Sequence, residues 1–131
     1  MRYLSLLPEA SIRCSGNLGI LLRMLILFDD ATPAGIARFL SGHTITKAKD
    51  RGWDTLSNGD LLTQAERAGF EVFVTADKNI RYQQNLKGRR IAIVVLSTSQ
   101  WPIVRLHIEK ILAAVNSAAP GSIAEVDIPT R

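Results

Sequence analysis

Short apolar runs alternate along the chain with segments in which apolar residues recur every three or four positions. A short continuous apolar run indicates a buried strand, whereas the wider spacing indicates a helix with one apolar face. The predicted strands are 24–28, 43–46, 71–75 and 91–96, with a marginal edge strand at 124–128. The predicted helices are 32–41, 58–68, 77–86 and 101–119.

The ends of these segments carry residues that favour helix starts and stops. Thr32 is a suitable N-cap before Pro33, which fits the first helical position. Ser57 and Asp60 form a capping-box pattern, and Gly69 is suited to end the helix that they begin. In the first helix, Ile36, Phe39 and Leu40 are expected to face the core. Because strands alternate with helices throughout, the sequence predicts an α/β fold with a mainly parallel sheet.

The length of 131 residues predicts a single domain, and 47% hydrophobic residues suffice for one core. Residues 1–23 lack a clear structural period, so we expect them to be a tail or an over-extended start and the domain to span 24–131. The apolar stretch 19–28 is interrupted by Arg23 and is too short to cross a membrane. Cys14 is the only cysteine, which fits a protein of the reducing cytoplasm.

Two acidic residues occupy equivalent places in the pattern. Asp29 follows the first predicted strand and Asp77 follows the third. Ligands of open parallel sheets bind at the carboxyl ends of the strands, and two carboxylates there can hold Mg²⁺ or Mn²⁺. Asp30 adds a second negative charge next to Asp29, a repulsion that a bound cation would relieve. The alternative is that one of Asp29 and Asp30 caps the helix at Pro33 while the other faces solvent, and that Asp77 only caps the helix that it begins.

Basic residues exceed acidic ones by 16 to 12, a formal net charge of +4 that is compatible with nucleic acid. Five of them crowd into the 13 positions that follow Asp77 and are predicted to contact phosphate groups: Lys78, Arg81, Lys87, Arg89 and Arg90. The alternative is an ordinary solvated face of a helix and loop.

Three segments of this chain resemble the small PIN-like proteins: Ile26-Leu-Phe-Asp29, Asn58-Gly-Asp-Leu-Leu62 and Val74-Thr-Ala-Asp-Lys-Asn79. The runs 79–86 and 88–95 are similar to one bacterial branch of that family. The resemblance covers residues 24–128.

The resemblance implies a three-layer α/β/α fold and a ribonuclease activity that depends on Mg²⁺ or Mn²⁺. It implies that Asp29, Asp60 and Asp77 form the catalytic metal site, with Asp30 as an auxiliary ligand, although the capping pattern alone gives Asp60 a structural role. Many active members are toxins paired with an antitoxin protein, and PIN proteins commonly form homodimers. RNA, an antitoxin and a second copy are therefore the implied partners.

Two departures from the family pattern leave other functions open. The middle Glu of active PIN nucleases has no clear counterpart, since Glu66 lies inside the helix after Asp60. The first acid is followed by Asp30 rather than by an amide. One alternative is a non-catalytic PIN-like module that binds RNA or protein. Another is a phospho-receiver, which also has paired acids after its first strand, but the strand 91–96 is followed by no Lys until Lys110, inside a predicted helix.

Overall fold

A five-stranded parallel sheet is the centre of the computed structural model, which describes residues 23–82 and 88–129, without the side chains of Arg81 and Tyr82. The strands are β1 (Leu25–Phe28), β2 (Thr44–Lys47), β3 (Val72–Thr75), β4 (Ala92–Leu96) and β5 (Ile123–Val126). Their order is β2-β1-β3-β4-β5, and every neighbouring pair is parallel. The predicted α/β class with a mainly parallel sheet is confirmed.

The helical segments consist of three α-helices and four 3-10 helices within the described residues. The α-helices are α1 (Asn58–Arg67), α2 (Trp101–Val104) and α3 (Ile108–Asn116). The 3-10 helices are Ala34–Phe39, Ala48–Arg51, Lys78–Tyr82 and Arg105–His107. The predicted boundary of the domain at residue 24 stays a prediction, because residues 1–22 lie outside the described part of the chain.

The helix predicted at 32–41 differs from the observed structure. Ala34–Phe39 is a 3-10 helix, and Pro33 rather than Thr32 stands at its N-cap position. The Thr32 hydroxyl donates to the carbonyl oxygen of Val74, at 2.7 Å, and this bond holds the side chain against β3. Phe39, expected in the core, is 49% exposed, while the neighbouring Leu40 is buried.

The last predicted helix is interrupted rather than continuous. The 3-10 turn Arg105–His107 separates α2 from α3. The spacing of apolar residues also predicts one stripe along this segment: Val104, Ile108, Ile111, Leu112 and Val115. Across the interruption, Leu112 is half-buried and the other four residues are buried. Of the predicted helix 77–86, the described part is the 3-10 helix Lys78–Tyr82, and residues 83–87 lie outside the described chain.

Apolar side chains cover both faces of the sheet. Successive residues of a strand point to opposite faces, so Ile26 and Phe28 belong to one buried cluster and Leu27 to the other. The 3-10 helix Ala34–Phe39 contributes to the first cluster together with α2 and α3, whereas α1 contributes to the second. All five residues of β4 are buried, as a strand covered on both faces requires.

The order of the strands places a reversal of direction between β1 and β3. The chain passes from β1 outward to β2 on one side, and then returns past β1 to form β3 on the other side. In open α/β sheets, ligands bind outside the carboxyl ends of the strands at such a switch point. The residues that follow β1 and β3 are therefore at the position where this fold is expected to bind a ligand.

Among the described residues, no helix is both long enough and apolar enough to span a lipid bilayer.

Candidate functional site

Asp29 and Asp77 lie at the carboxyl edge of the sheet, on either side of the switch point. The strand register pairs Phe28 with Val74, and the N–H of Asp29 donates to the carbonyl oxygen of Val74 at 3.1 Å. The β1–β3 ladder thus continues one residue beyond β1. Asp29 is thereby level with Thr75, the last residue of β3, and Asp77 follows two positions later.

The hydroxyl group of Thr75 connects the two acids. Its side chain is fully buried, and the Oγ1–H donates to Oδ2 of Asp29. The same Oγ1 accepts the backbone N–H of Asp77 at 3.0 Å. One hydroxyl group therefore fixes the carboxylate of Asp29 against the start of the segment that carries Asp77.

The remaining carboxylate oxygens also accept hydrogen bonds. Oδ1 of Asp29 accepts the N–H of Ala31 at 2.8 Å, and Oδ1 of Asp77 accepts the N–H of Asn79 at 3.0 Å. Oδ2 of Asp77 accepts from Nδ2 of Asn58, at 3.3 Å. Bonds to a backbone N–H two residues later are those of Asx turns, so the two acids also shape the turns after their strands.

Asp60 and Asp30 do not join this pair in a three-acid group. Asp60 is exposed in the first turn of α1, where its N–H donates to Oγ of Ser57 at 3.3 Å, as the predicted cap requires. Asp30 is exposed in the turn after β1. Within the described residues, no group of three or more His, Cys, Asp or Glu side chains could hold a metal ion. Of the four residues predicted to bind a metal ion, the structure thus connects two, Asp29 and Asp77, through Thr75.

The pair Asp29 and Asp77 fits a magnesium-type ion by its donor chemistry. Mg²⁺ prefers oxygen ligands and commonly binds proteins through one or two carboxylates while it keeps several water molecules. Both carboxylates are half-buried and are oriented by hydrogen bonds before any ion binds. A carboxylate oxygen has two lone pairs, so one hydrogen bond leaves a second position for a cation.

Two residues of this site, Thr75 and Asn58, are absent from the ligand set that the sequence predicts. Thr75 is separated from Asp29 by 46 positions, and Asn58 from Asp77 by 19. The available signal for Thr75 is the Thr-x-Asp spacing that precedes the 3-10 helix. No local signal connects Asn58 with Asp77, because the contact depends on how α1 packs against the sheet.

The predicted phosphate-binding residues are spread over the molecule. Lys78 is exposed next to Asp77, and Arg90 is exposed before β4. Arg89 lies against α1, where it donates to Gly59 O and Thr63 Oγ1, both at 3.1 Å. It also forms a salt bridge of 3.4 Å with Glu66, which gives it a structural role. Lys87 and the side chain of Arg81 lie outside the described part, and RNA contacts of all five stay a prediction.

Glu66 is occupied by the segment that leads into β4. Its Oε2 accepts the N–H groups of Arg90 at 2.6 Å and Ile91 at 3.0 Å, while Oε1 faces Arg89. The carboxylate thus fastens the last turn of α1 to the start of β4. This geometry assigns Glu66 to packing rather than to the acidic pair.

An open cavity of about 380 Å³ lies at the opposite, amino edge of the sheet. Its lining includes Met24, Val72 and Ala92, which precede or begin three of the strands, together with Phe70 and Arg90. This cavity and the acidic pair are therefore at different edges of the sheet. The acidic pair is the more informative of the two features, because one buried hydroxyl group links the carboxylate of Asp29 to the backbone N–H of Asp77.

Comparison of this chain with models of known protein families, with curated proteins and with solved structures finds no match.

Proposed function

We propose that this chain is a PIN-like domain with a three-layer α/β/α arrangement that cleaves RNA with the help of Mg²⁺ or Mn²⁺. One observation carries the proposal: Asp29 and Asp77 flank the switch point of a parallel sheet, where the hydroxyl of Thr75 binds the carboxylate of Asp29 and the backbone N–H of Asp77. Both acids shape the turns after their strands, and together they place two carboxylates at the edge where ligands of parallel sheets bind. The PIN-like sequence segments, which include both acids, give the second support.

Each residue of the site has a role in this proposal. Asp29 and Asp77 hold the ion, with Asp60 as a third acid and Asp30 as an auxiliary one. When bound, such an ion supplies an activated water and neutralises charge on the phosphodiester. Lys78, exposed beside Asp77, contacts a phosphate group of the RNA. Thr75 and the backbone N–H groups of Ala31 and Asn79 keep the carboxylates in place.

The biological setting is part of the same proposal and rests on the sequence resemblance. In it the chain acts in the cytoplasm as the toxin component of a toxin–antitoxin pair, forms a homodimer and is restrained by an antitoxin protein. The single cysteine is consistent with a reducing compartment.

Manganese binding tests the proposed site directly. We expect calorimetry to detect Mn²⁺ binding by the wild type and none by the double variant Asp29→Asn/Asp77→Asn, because an amide cannot supply the negative charge of a ligand carboxylate. Asp127→Asn is the matched control, since Asp127 also follows a parallel strand, β5, but is separated from β3 by β4. The control should bind Mn²⁺ as the wild type does.

RNA cleavage tests the proposed reaction. We expect Asp77→Asn to abolish Mn²⁺-dependent cleavage of single-stranded RNA while the circular dichroism spectrum stays unchanged. Cleavage at the wild-type rate would remove Asp77 from the site. Mn²⁺ binding without cleavage of any RNA would favour the non-catalytic PIN-like binding module instead.

A phospho-receiver is the second candidate, because the strand order β2-β1-β3-β4-β5 also occurs in that class of domain. The described residues offer little further support for it. Lys110, the first Lys after β4, donates its Nζ to the carbonyl oxygen of Asp127, beyond the edge strand β5. Incubation with acetyl phosphate followed by intact-mass measurement separates the two candidates, since only a receiver would gain a covalent phosphate on Asp77.

A further inference from the structure

The carboxylate of Asp77 is held from two directions. The N–H of Asn79 approaches Oδ1 from the chain that follows Asp77, at 3.0 Å. The Nδ2 of Asn58 approaches Oδ2 from the first turn of α1, at 3.3 Å. Because one bond is made to each oxygen, rotation of the carboxylate about its last side-chain bond is restricted. The backbone bond alone would leave Oδ2 without a protein partner among the described residues.

We propose that Asn58 is a positioning residue that sets the orientation of the Asp77 carboxylate for cation binding. The inference rests on the proposed function and extends it to a residue on another element. Hydrogen-bond partners behind a ligand orient it and tune its affinity for the ion. Asn58 is suited to this role because its amide donates hydrogen bonds and carries no net charge. A Lys or Arg at the same position would repel the cation.

The position of Asn58 is itself fixed by the surrounding structure. Ser57 caps α1 through the N–H of Asp60, and Gly59 is buried. The guanidinium of Arg89 donates to the carbonyl oxygen of Gly59, directly after Asn58, and to the hydroxyl of Thr63 one turn later. The first turn of α1 therefore contacts both ends of the connection from β3 to β4, with Asn58 at Asp77 and Gly59 at Arg89. The backbone that carries Asn58 is thus held in place, and the Asn58 amide is within hydrogen-bond distance of Asp77.

Calorimetry with Mn²⁺ alone tests the inference. We expect Asn58→Ala to weaken Mn²⁺ binding by about tenfold, the lower end of the usual effect of removing such a partner. Asn58→Gln retains an amide donor and should recover most of the lost affinity. Asn116→Ala is the matched control, since it removes an amide that contacts His43 at the end of α3, and its affinity should be unchanged.

Urea denaturation without metal shows whether a variant is simply less folded. Asn58→Ser serves as a second variant if Asn58→Ala does not fold, because Ser is common at the starts of helices. The Ser side chain is shorter than that of Asn. Folded Asn58→Ala or Asn58→Ser protein with wild-type Mn²⁺ affinity would overturn the role of Asn58 while the proposed function stands. Wild-type binding that is insensitive to Asp29→Asn/Asp77→Asn would overturn the proposed site and this inference together.

Discussion

Thr75 shows how one side chain can organise a site without being a ligand. A fully buried hydroxyl group is costly unless it is hydrogen-bonded, and Thr75 uses it both as a donor and as an acceptor. The donor bond fixes a carboxylate after β1, and the acceptor bond fixes the backbone after β3. Removal of the hydroxyl would leave both of these groups without their partner.

Thr75→Val is expected to lower the free energy of unfolding by about 1–3 kcal/mol, the usual cost of unpaired buried polar groups. Valine keeps the shape of the side chain, so a change in packing contributes little. Urea denaturation without metal measures the effect, and Thr75→Ser, which retains the hydroxyl, should lose clearly less. Equal stability of the Val variant and the wild type would show that the two bonds contribute nothing.

At the residue scale, the sequence was enough to predict that Asp29 and Asp77 lie at one edge of the sheet. It was not enough to identify the residues that form hydrogen bonds with them. Asp29 and Asp77 stand directly after apolar runs, and parallel strands bring such positions to one edge. The partners Thr75 and Asn58 come into contact with them only through the pairing of β1 with β3 and the packing of α1. A local sequence pattern does not predict contacts of this kind, which depend on how distant segments pack together.

The 3-10 helix Ala34–Phe39 illustrates what decides local structure at the element scale. Gly35 lies beneath the indole ring of Trp101, so close that a Cβ atom there would be 2.5 Å from Cζ2 of the ring. A larger residue would push this helix away from α2. The spacing of apolar residues predicts a helix here, but its close contact with Trp101 and the use of Thr32 by β3 are tertiary features.

Gly35→Ala is expected to destabilise the protein by about 1–3 kcal/mol through overpacking. The thermal unfolding midpoint and urea denaturation measure this effect. In the background of Trp101→Phe, which lacks the second ring, the same change should cost clearly less. An identical cost in both backgrounds would mean that the Trp101 ring is not what restricts residue 35.

Strands were more predictable than helices for a physical reason. The run 91–96 is continuously apolar, which by itself indicates a strand covered on both faces, and all five residues of β4 are buried. The helix type depends on how tightly a segment must pack, and that is set by other elements. The stripe of Val104, Ile108, Ile111 and Val115 was predictable, but the 3-10 turn that interrupts its helix was not.

At the scale of the whole molecule, the carboxyl and amino edges of the sheet carry different structural features. The carboxyl edge carries the acidic pair and Lys78, whereas the amino edge carries the cavity with Arg90 in its lining. The basic run that is continuous in the sequence therefore begins at one edge and ends at the other. An RNA phosphate near Asp77 would be within reach of Lys78 and would be distant from Arg90.

The salt dependence of RNA binding tests this division. In EDTA, which prevents cleavage, we expect Lys78→Ala to reduce the slope of log K against log salt by about 0.7, the value for one contact with single-stranded nucleic acid. Arg90→Ala is the matched control and should leave the slope unchanged. An equal reduction for both variants would instead favour RNA contacts along the entire basic run.

The return of the chain past β1 has a consequence for biosynthesis. Asp29 is synthesised before its partner Thr75, which follows 46 positions later, after β2 and α1. Contacts that are distant in sequence form only once the intervening chain exists and its loop has closed. A nascent chain that ends before Asp77 therefore has no acidic pair. The carboxyl edge of the sheet is completed only after β3 has been synthesised and has paired with β1.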